Sequence, residues 1–143
     1  MTSIFEFMTQ DHRHCDDGYA IAEEKVAAGQ WDEAGQSWTT FRNDTETHLK
    51  REEDCLFPAF EARTGNTQGP TAVMRMEHEQ IRLLISEMDD AVAARNADAF
   101  LGLSETLMIL TQQHNMKEEQ ILYPMSDQVL DNAETLVEQM QKV

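Results

Sequence analysis

The chain has 143 residues, 27 acidic against 11 basic, for a formal net charge of −16, with 41% hydrophobic and 27% charged residues. That length and composition suit a soluble globular domain of ordinary size that needs no disulfide framework, and exclude a disordered chain. So acidic a surface argues against nucleic acid, no apolar run reaches the length of a bilayer span, and the opening MTSIFEFMTQDHRH lacks the basic-then-apolar pattern of a secretory signal, so the cytoplasm is the expected compartment.

Proline and glycine are scarce, and apolar residues recur at helical spacing in four long stretches. The first runs over about 4–28 and ends near Gly29. The second covers about 32–62, before the break TGNTQGP, and the third starts at Pro70, a favourable first-turn residue, and ends around 95–96. The fourth spans about 97–125, and a tail over 127–143 has Leu130, Leu136, Val137 and Met140 on one side. Pro58 and Pro124, late in the second and fourth stretches, are expected to kink or stop those helices. The expected fold is all-α: one domain over 1–143, an up-down-up-down four-helix bundle at about 4–126 with a short C-terminal helical tail.

An internal repeat carries the functional signal. HLKREEDCLFP at 48–58 matches HNMKEEQILYP at 114–124 in His, both Glu, Leu and Pro, with Phe57 and Tyr123 as a conservative pair. The same offset of 66 residues relates His12 to His78 and Met8 to Met74. The first helical hairpin therefore repeats as the second, and equivalent side chains should face one another across an approximate two-fold axis.

On an α-helix, residues four apart differ by about 40° around the axis, so His48 shares a face with Glu52, and His114 with Glu118. Glu53 and Glu119 lie about 140° from their histidines and should point elsewhere, as supporting contacts or alternative ligands. The stripe of His12 carries Phe5, Met8, Cys15 and Tyr19, and that of His78 carries Met74, Ile81 and Ile85. The stripe of His48 carries Phe41, Thr45, Cys55 and Ala59, and that of His114 carries Leu103, Leu107, Leu110, Ile121 and Met125. All four histidines should thus face the core.

A single core-facing histidine is ordinarily a hydrogen-bonded packing residue, and an EE pair is ordinarily a solvated helix face. Four core histidines in a repeat, two followed by Glu at the fourth residue, are different. Burying two carboxylates costs several kcal/mol of hydration unless cations sit between them. His12, His48, Glu52, His78, His114 and Glu118 supply four nitrogens and two carboxylates, three donors for each of two metals. Imidazole and carboxylate suit iron, manganese or zinc, without the thiolates of a structural zinc site. Of the remaining candidates, His14 should lie on the surface, Tyr19 in the core, and Cys15 and Cys55 should be buried free thiols; Met8 and Met74 could wall the metal chamber.

DHR with His12, HLKREEDCLFP with His48 and Glu52, MRMEH with His78, and HNMKEEQILYP with His114 and Glu118 together resemble the hemerythrin-like, or HHE cation-binding, family over about 5–125. The resemblance implies a non-haem di-iron centre with bridging carboxylates and a bridging oxo or hydroxo group, and O2, NO or peroxide as small ligands. Roles in sensing, stress response or iron handling follow from it. An iron-centre repair protein or an enzyme consuming peroxide or NO is the alternative. Oxygen-carrying members resemble an arrangement with a further His one turn before His78, where this chain has Met74, and with a last carboxylate at the position of Glu119. The repeat favours Glu118, as in sensor-like and repair-like members. A ferritin-like store, a more distant alternative, would use four Glu and two His with Glu-x-x-His spacing; here the proportions and the order are reversed.

Overall fold

A computed structural model describes residues 2–143. Among these the chain forms five continuous helices and no strand. The first is α1 (Ile4–Ala27). The second comprises α2 (Trp31–Arg51), a π turn at Glu52–Leu56, and α3 (Phe57–Thr64). Then come α4 (Pro70–Ala93) and a fourth rod of α5 (Ala97–Lys117), a second π turn at Glu118–Leu122, and α6 (Tyr123–Val129). The tail folds as α7 (Ala133–Gln141). Among the described residues, no helix is long and apolar enough to cross a membrane.

The helix starts follow from local chemistry. The Ser3 side chain accepts from the Glu6 N–H, and Asp127 accepts from the Ile4 and Phe5 N–H groups at 2.9 and 3.0 Å, tying α6 to the positive end of α1. Pro70 opens α4, and Asn96 caps α5 through the Ala99 N–H. Helix α1 packs along α2, and α4 along α5; contacts of α1 with α5 and of α2 with α4 join the two hairpins into a helical bundle. Two apolar clusters fill it. One gathers Trp38, Phe41, Ile81, Met88, Phe100 and Leu107. The other gathers Ile4, Met8, Phe57, Phe60, Leu122 and Met140. Leu130, Leu136, Val137 and Met140 are all buried, as the amphipathic pattern of the tail predicts.

The two prolines do not stop their helices, which run on to Thr64 and Val129. Each π turn lies just ahead of a proline, and its wider loop closes with an N–H from Phe57 to the Glu52 carbonyl, or from Tyr123 to the Glu118 carbonyl. A π turn holds one residue more than an α turn, so the buried stripe advances by one position beyond it. The stripe predicted through Cys55 and Ala59 passes instead through Leu56 and Phe60, leaving Cys55 and Ala59 half-buried. Likewise Leu122 and Ser126 replace Ile121 and Met125, which are 53% and 36% exposed. Phe5, expected on the core stripe of α1, is also exposed, and Leu103 and Leu110 are half-buried.

The repeat extends to the turns. The α1–α2 and α4–α5 connections make the same pair of hydrogen bonds: the Gly29 and Gln30 N–H groups donate to the Val26 and Lys25 carbonyls, and those of Arg95 and Asn96 to the Val92 and Ala91 carbonyls. Gly29 takes the left-handed conformation at φ 71°, and Arg95 must do the same at φ 52° with a β-carbon. Arg95→Gly should therefore stabilise the protein by about 1 kcal/mol in chemical denaturation, even with loss of the exposed ion pair to Asp32.

Candidate metal centre

Between the two apolar clusters, each hairpin delivers the same set of side chains to the middle of the bundle. Asp11 and His12 come from α1, and Glu77 and His78 from α4. His48 lies in the last turn of α2 and His114 in that of α5, and each following π turn carries a Glu-Glu pair. His12, His48, Glu52, His78, His114 and Glu118 are all buried, with Glu52, His78 and Glu118 at 0% exposure. Donor atoms of Glu52, His78, His114 and Glu118 lie within 4.8 Å of one another, as do those of His12, His48 and Glu118. The six residues singled out in the sequence thus converge in two groups that share Glu118.

The orientation of the imidazoles is set from outside the cluster. Every Nδ1 faces a carboxylate: His12 faces Glu119 at 2.7 Å, His48 faces Asp11 at 2.7 Å, His78 faces Glu53 at 2.6 Å, and His114 faces Glu77 at 2.8 Å. A carboxylate accepting from Nδ1–H leaves Nε2 as the inward atom. Three of these carboxylates are themselves held by cations: Asp11 by Arg51 at 2.9 Å, Glu77 by Lys117 at 2.5 Å, and Glu53 by Arg82 at 2.8 Å. Arg51 and Lys117 are repeat equivalents, whereas the counterpart of Arg82 is Asp16.

The aromatic residues after the π turns show the same pattern with one atom of difference. Phe57 stacks on His78 with ring centroids 5.5 Å apart, and Tyr123 lies against His12 at the same separation. The added hydroxyl of Tyr123 lies 2.8 Å from Glu52 Oε2, 3.0 Å from Glu118 Oε1 and 3.1 Å from His12 Nε2.

Without a cation the six groups share protons. Burial, then the adjacent Glu118 charge, pushes Glu52 well above the usual carboxyl range. Burial also works to raise Glu118, but its contact with Glu52, the charge of His114 3.3 Å away and a hydrogen bond with His12 outweigh it and hold this carboxyl well below its ordinary value. Burial, then neighbouring His12, lowers His48, and burial takes His78 down to about 4 against the pull of Glu53. His12 and His114 are raised: burial opposes their charge, but Glu118 with Glu119, and Glu118 with Glu77, overcome it. The proton arrangement is incomplete. His48 Nε2, His114 Nε2 and Glu118 Oε2 are buried with no hydrogen-bond partner. Orphaned buried polar atoms are costly, and three at the centre of one nitrogen and oxygen cluster fit a cation.

A cavity of about 40 Å³ adjoins His12, His48 and His114, walled mainly by Phe41, Leu49, Ile81 and Leu107. That space is enough for a molecule of two or three heavy atoms. It lies toward the first apolar cluster, on the side away from Tyr123 and the tail.

Outside the cluster, His14 is 65% exposed and pairs with Asp44 at 3.0 Å, as expected for a surface residue. Tyr19 is buried and hydrogen-bonds to Ser104. Cys15 and Cys55 are free and half-buried rather than fully buried, and burial pushes the Cys15 thiol up to about 12, the range of an inert packing residue. Met8 and Met74 are buried in the second apolar cluster. Sequence reasoning missed Asp11 and Glu77, although the 66-residue offset places an acid immediately before each of His12 and His78. It also read Phe57 and Tyr123 as a conservative match and gave no part to the Tyr123 hydroxyl.

Fold and cluster together define a helical bundle with an internal site that could hold a metal. The model of the hemerythrin HHE cation binding domain matches residues 3–126, and the chain belongs to that family. No curated protein and no solved structure matches it significantly.

The carboxylates behind the imidazoles should matter for metal retention although they are not donors themselves. Asp11→Ala and Glu77→Ala should each weaken metal affinity roughly 10–100-fold in competition with a chelator, while His14→Ala should leave it unchanged.

Proposed function

We propose that this is a non-haem di-iron protein that binds or reacts with a small ligand, O2, NO or peroxide, inside a single up-down-up-down bundle domain. The observation that carries the reading is the set of inward Nε2 atoms around Glu52 and Glu118, with three buried donor atoms left unpartnered. In this reading His12 and His48 serve one ion, His78 and His114 the other, and Glu52 and Glu118 the pair. Membership of Glu118 in both donor groups supports a bridging role. Glu119 sits on the far ring nitrogen of His12, which supports a supporting role for it rather than coordination.

Manganese and zinc suit the same donors, but iron adds redox chemistry and open positions for a small ligand. The bridging oxo or hydroxo group belongs to this proposal as well. The protein's own contributions are threefold. The outer carboxylates fix the histidine tautomers, the apolar cavity gives a small uncharged molecule a place beside three histidines, and the Tyr123 hydroxyl donates to Glu52 on the opposite side. Met74 in place of a further histidine, and two histidines for each ion, leave coordination positions for outside ligands on both. This supports sensing, stress response or iron handling over dedicated oxygen transport.

His48→Ala and His114→Ala should each lower bound iron and abolish the visible absorption of the oxidised protein. Full iron content and unchanged spectra in both variants would remove these residues from the site. Stopped-flow mixing then separates the roles: stoichiometric spectral change with NO or O2 supports a binding or sensing module, and sustained loss of peroxide or NO supports an enzyme.

Cation uptake must also displace protons, because Glu52, His12 and His114 all sit above their ordinary values in the metal-free protein. Their protonated fraction grows as pH falls, so metal affinity should fall with it, and iron(II) added in weak buffer should release protons. Uptake without proton release would contradict the proton sharing described above.

A further inference from the structure

The internal repeat supplies its own control for the surface. On the outer face of the α4–α5 hairpin, Met76, Leu83, Ile109 and Met116 are 55–64% exposed. They lie at helical spacing on two neighbouring helices, and between them runs an open apolar groove lined by Leu83, Leu84, Ile109 and Leu110, with Gln80 and Gln113 as its polar walls. No charged side chain lines that groove. Subtracting 66 gives the matching face of the α1–α2 hairpin. There Gln10, Asp17, Asn43 and Lys50 stand for the four apolar residues, and His14 and Asp44 replace Gln80 and Leu110. His14 and Asp44 form an ion pair across that face. Two hairpins of one repeat, holding equivalent sides of one site, thus carry opposite surfaces, so the apolar one is not a requirement of the fold.

We infer that the α4–α5 face is the contact surface of a symmetric dimer, and that its occupant is a second copy of this chain. Charge selects the occupant. A basic partner would be drawn to the acidic surface that a net charge of −16 creates, not to an uncharged groove. Two copies at that charge repel one another, and an uncharged face is where they can meet without opposing carboxylates. An interface built on a two-fold axis uses the same patch twice, so one self-complementary stripe suffices. The size agrees. Bounded short of the exposed Glu87 and Glu105, from Val73 to Leu83 on α4 and from Thr106 to Met116 on α5, the stripe is about 15 Å long and two helices wide, and its exposed side chains offer on the order of 600 Å² per copy, the lower end of a stable interface. Leu83 and Ile109 form ridges on either side of the groove, and each copy can seat a ridge in the groove of the other. The metal reading is not needed for this inference.

Sedimentation equilibrium of the full chain at tens of micromolar should give twice the 16.4 kDa chain mass. Leu83→Glu together with Ile109→Glu opposes carboxylates across the axis and should weaken association at least about a hundredfold, giving the single-chain mass with an unchanged helical circular dichroism signal. Both positions are mostly solvent-exposed, so folding should survive the change. Asn43→Glu, on the matching face of the other hairpin, should leave the dimer intact. A wild-type chain that sediments at 16.4 kDa overturns the inference, and so does a dimer that persists in the doubly substituted protein.

Discussion

Two carboxylates and four imidazoles at the centre of a small helical bundle need a countercharge, and most of the architecture answers that need. Neither Glu52 nor Glu118 reaches water. Left to themselves, they manage only by having one retain a proton while the other takes hydrogen bonds from its neighbours. Even then three polar atoms are stranded. Packing above and below is apolar and offers no relief. A cluster this far from electrostatic self-sufficiency is a poor way to stabilise a bundle and a good way to grip cations, since breaking up a buried charged set costs more than never burying it. The outer ring of Asp11, Glu53, Glu77 and Glu119 continues the logic, fixing each imidazole so that its basic nitrogen points inward.

The internal repeat explains how so many ionisable groups come to one depth. Each hairpin contributes an acid-histidine pair from one helix and a histidine followed by two glutamates from the next. The π turns are part of the delivery. Each begins at an inward glutamate and adds a residue before the proline, which brings Phe57 or Tyr123 under a histidine ring of the other helix pair. The departures from symmetry are few and local. A hydroxyl on Tyr123 but not Phe57, a cation behind Glu53 but not Glu119, and a cavity beside three of the four histidines make the two halves chemically unlike. A centre with unlike halves can direct a small ligand to one side.

Much of this was legible in the sequence because the relevant code is short-range. Helical periodicity located the four long helices within a few residues, and the spacing of His48 to Glu52 and His114 to Glu118 put those groups on shared faces before any turn irregularity intervened. The repeat then aligned the hairpins. What failed did so for one main physical reason: a π turn has no compositional signature as plain as a capping residue, so the stripe beyond each was read one residue out of register at Cys55, Ala59, Ile121 and Met125. Pro58 and Pro124 were expected to kink or stop their helices, and the turns ahead of them let the helices continue. Asp11 and Glu77 escaped notice because an acid beside a histidine is unremarkable on a helix whose neighbours are unknown. Their partners, His48 and His114, are 37 residues away in each case.

We propose that this cluster holds two ions in every chain. Elemental analysis of protein produced in iron-replete medium and purified without an affinity metal tests it most directly. Two metal ions per chain, predominantly iron and removed together with a fall in melting temperature on chelation, is the predicted result. A metal-free protein with the same melting temperature in chelator and in added iron would contradict it.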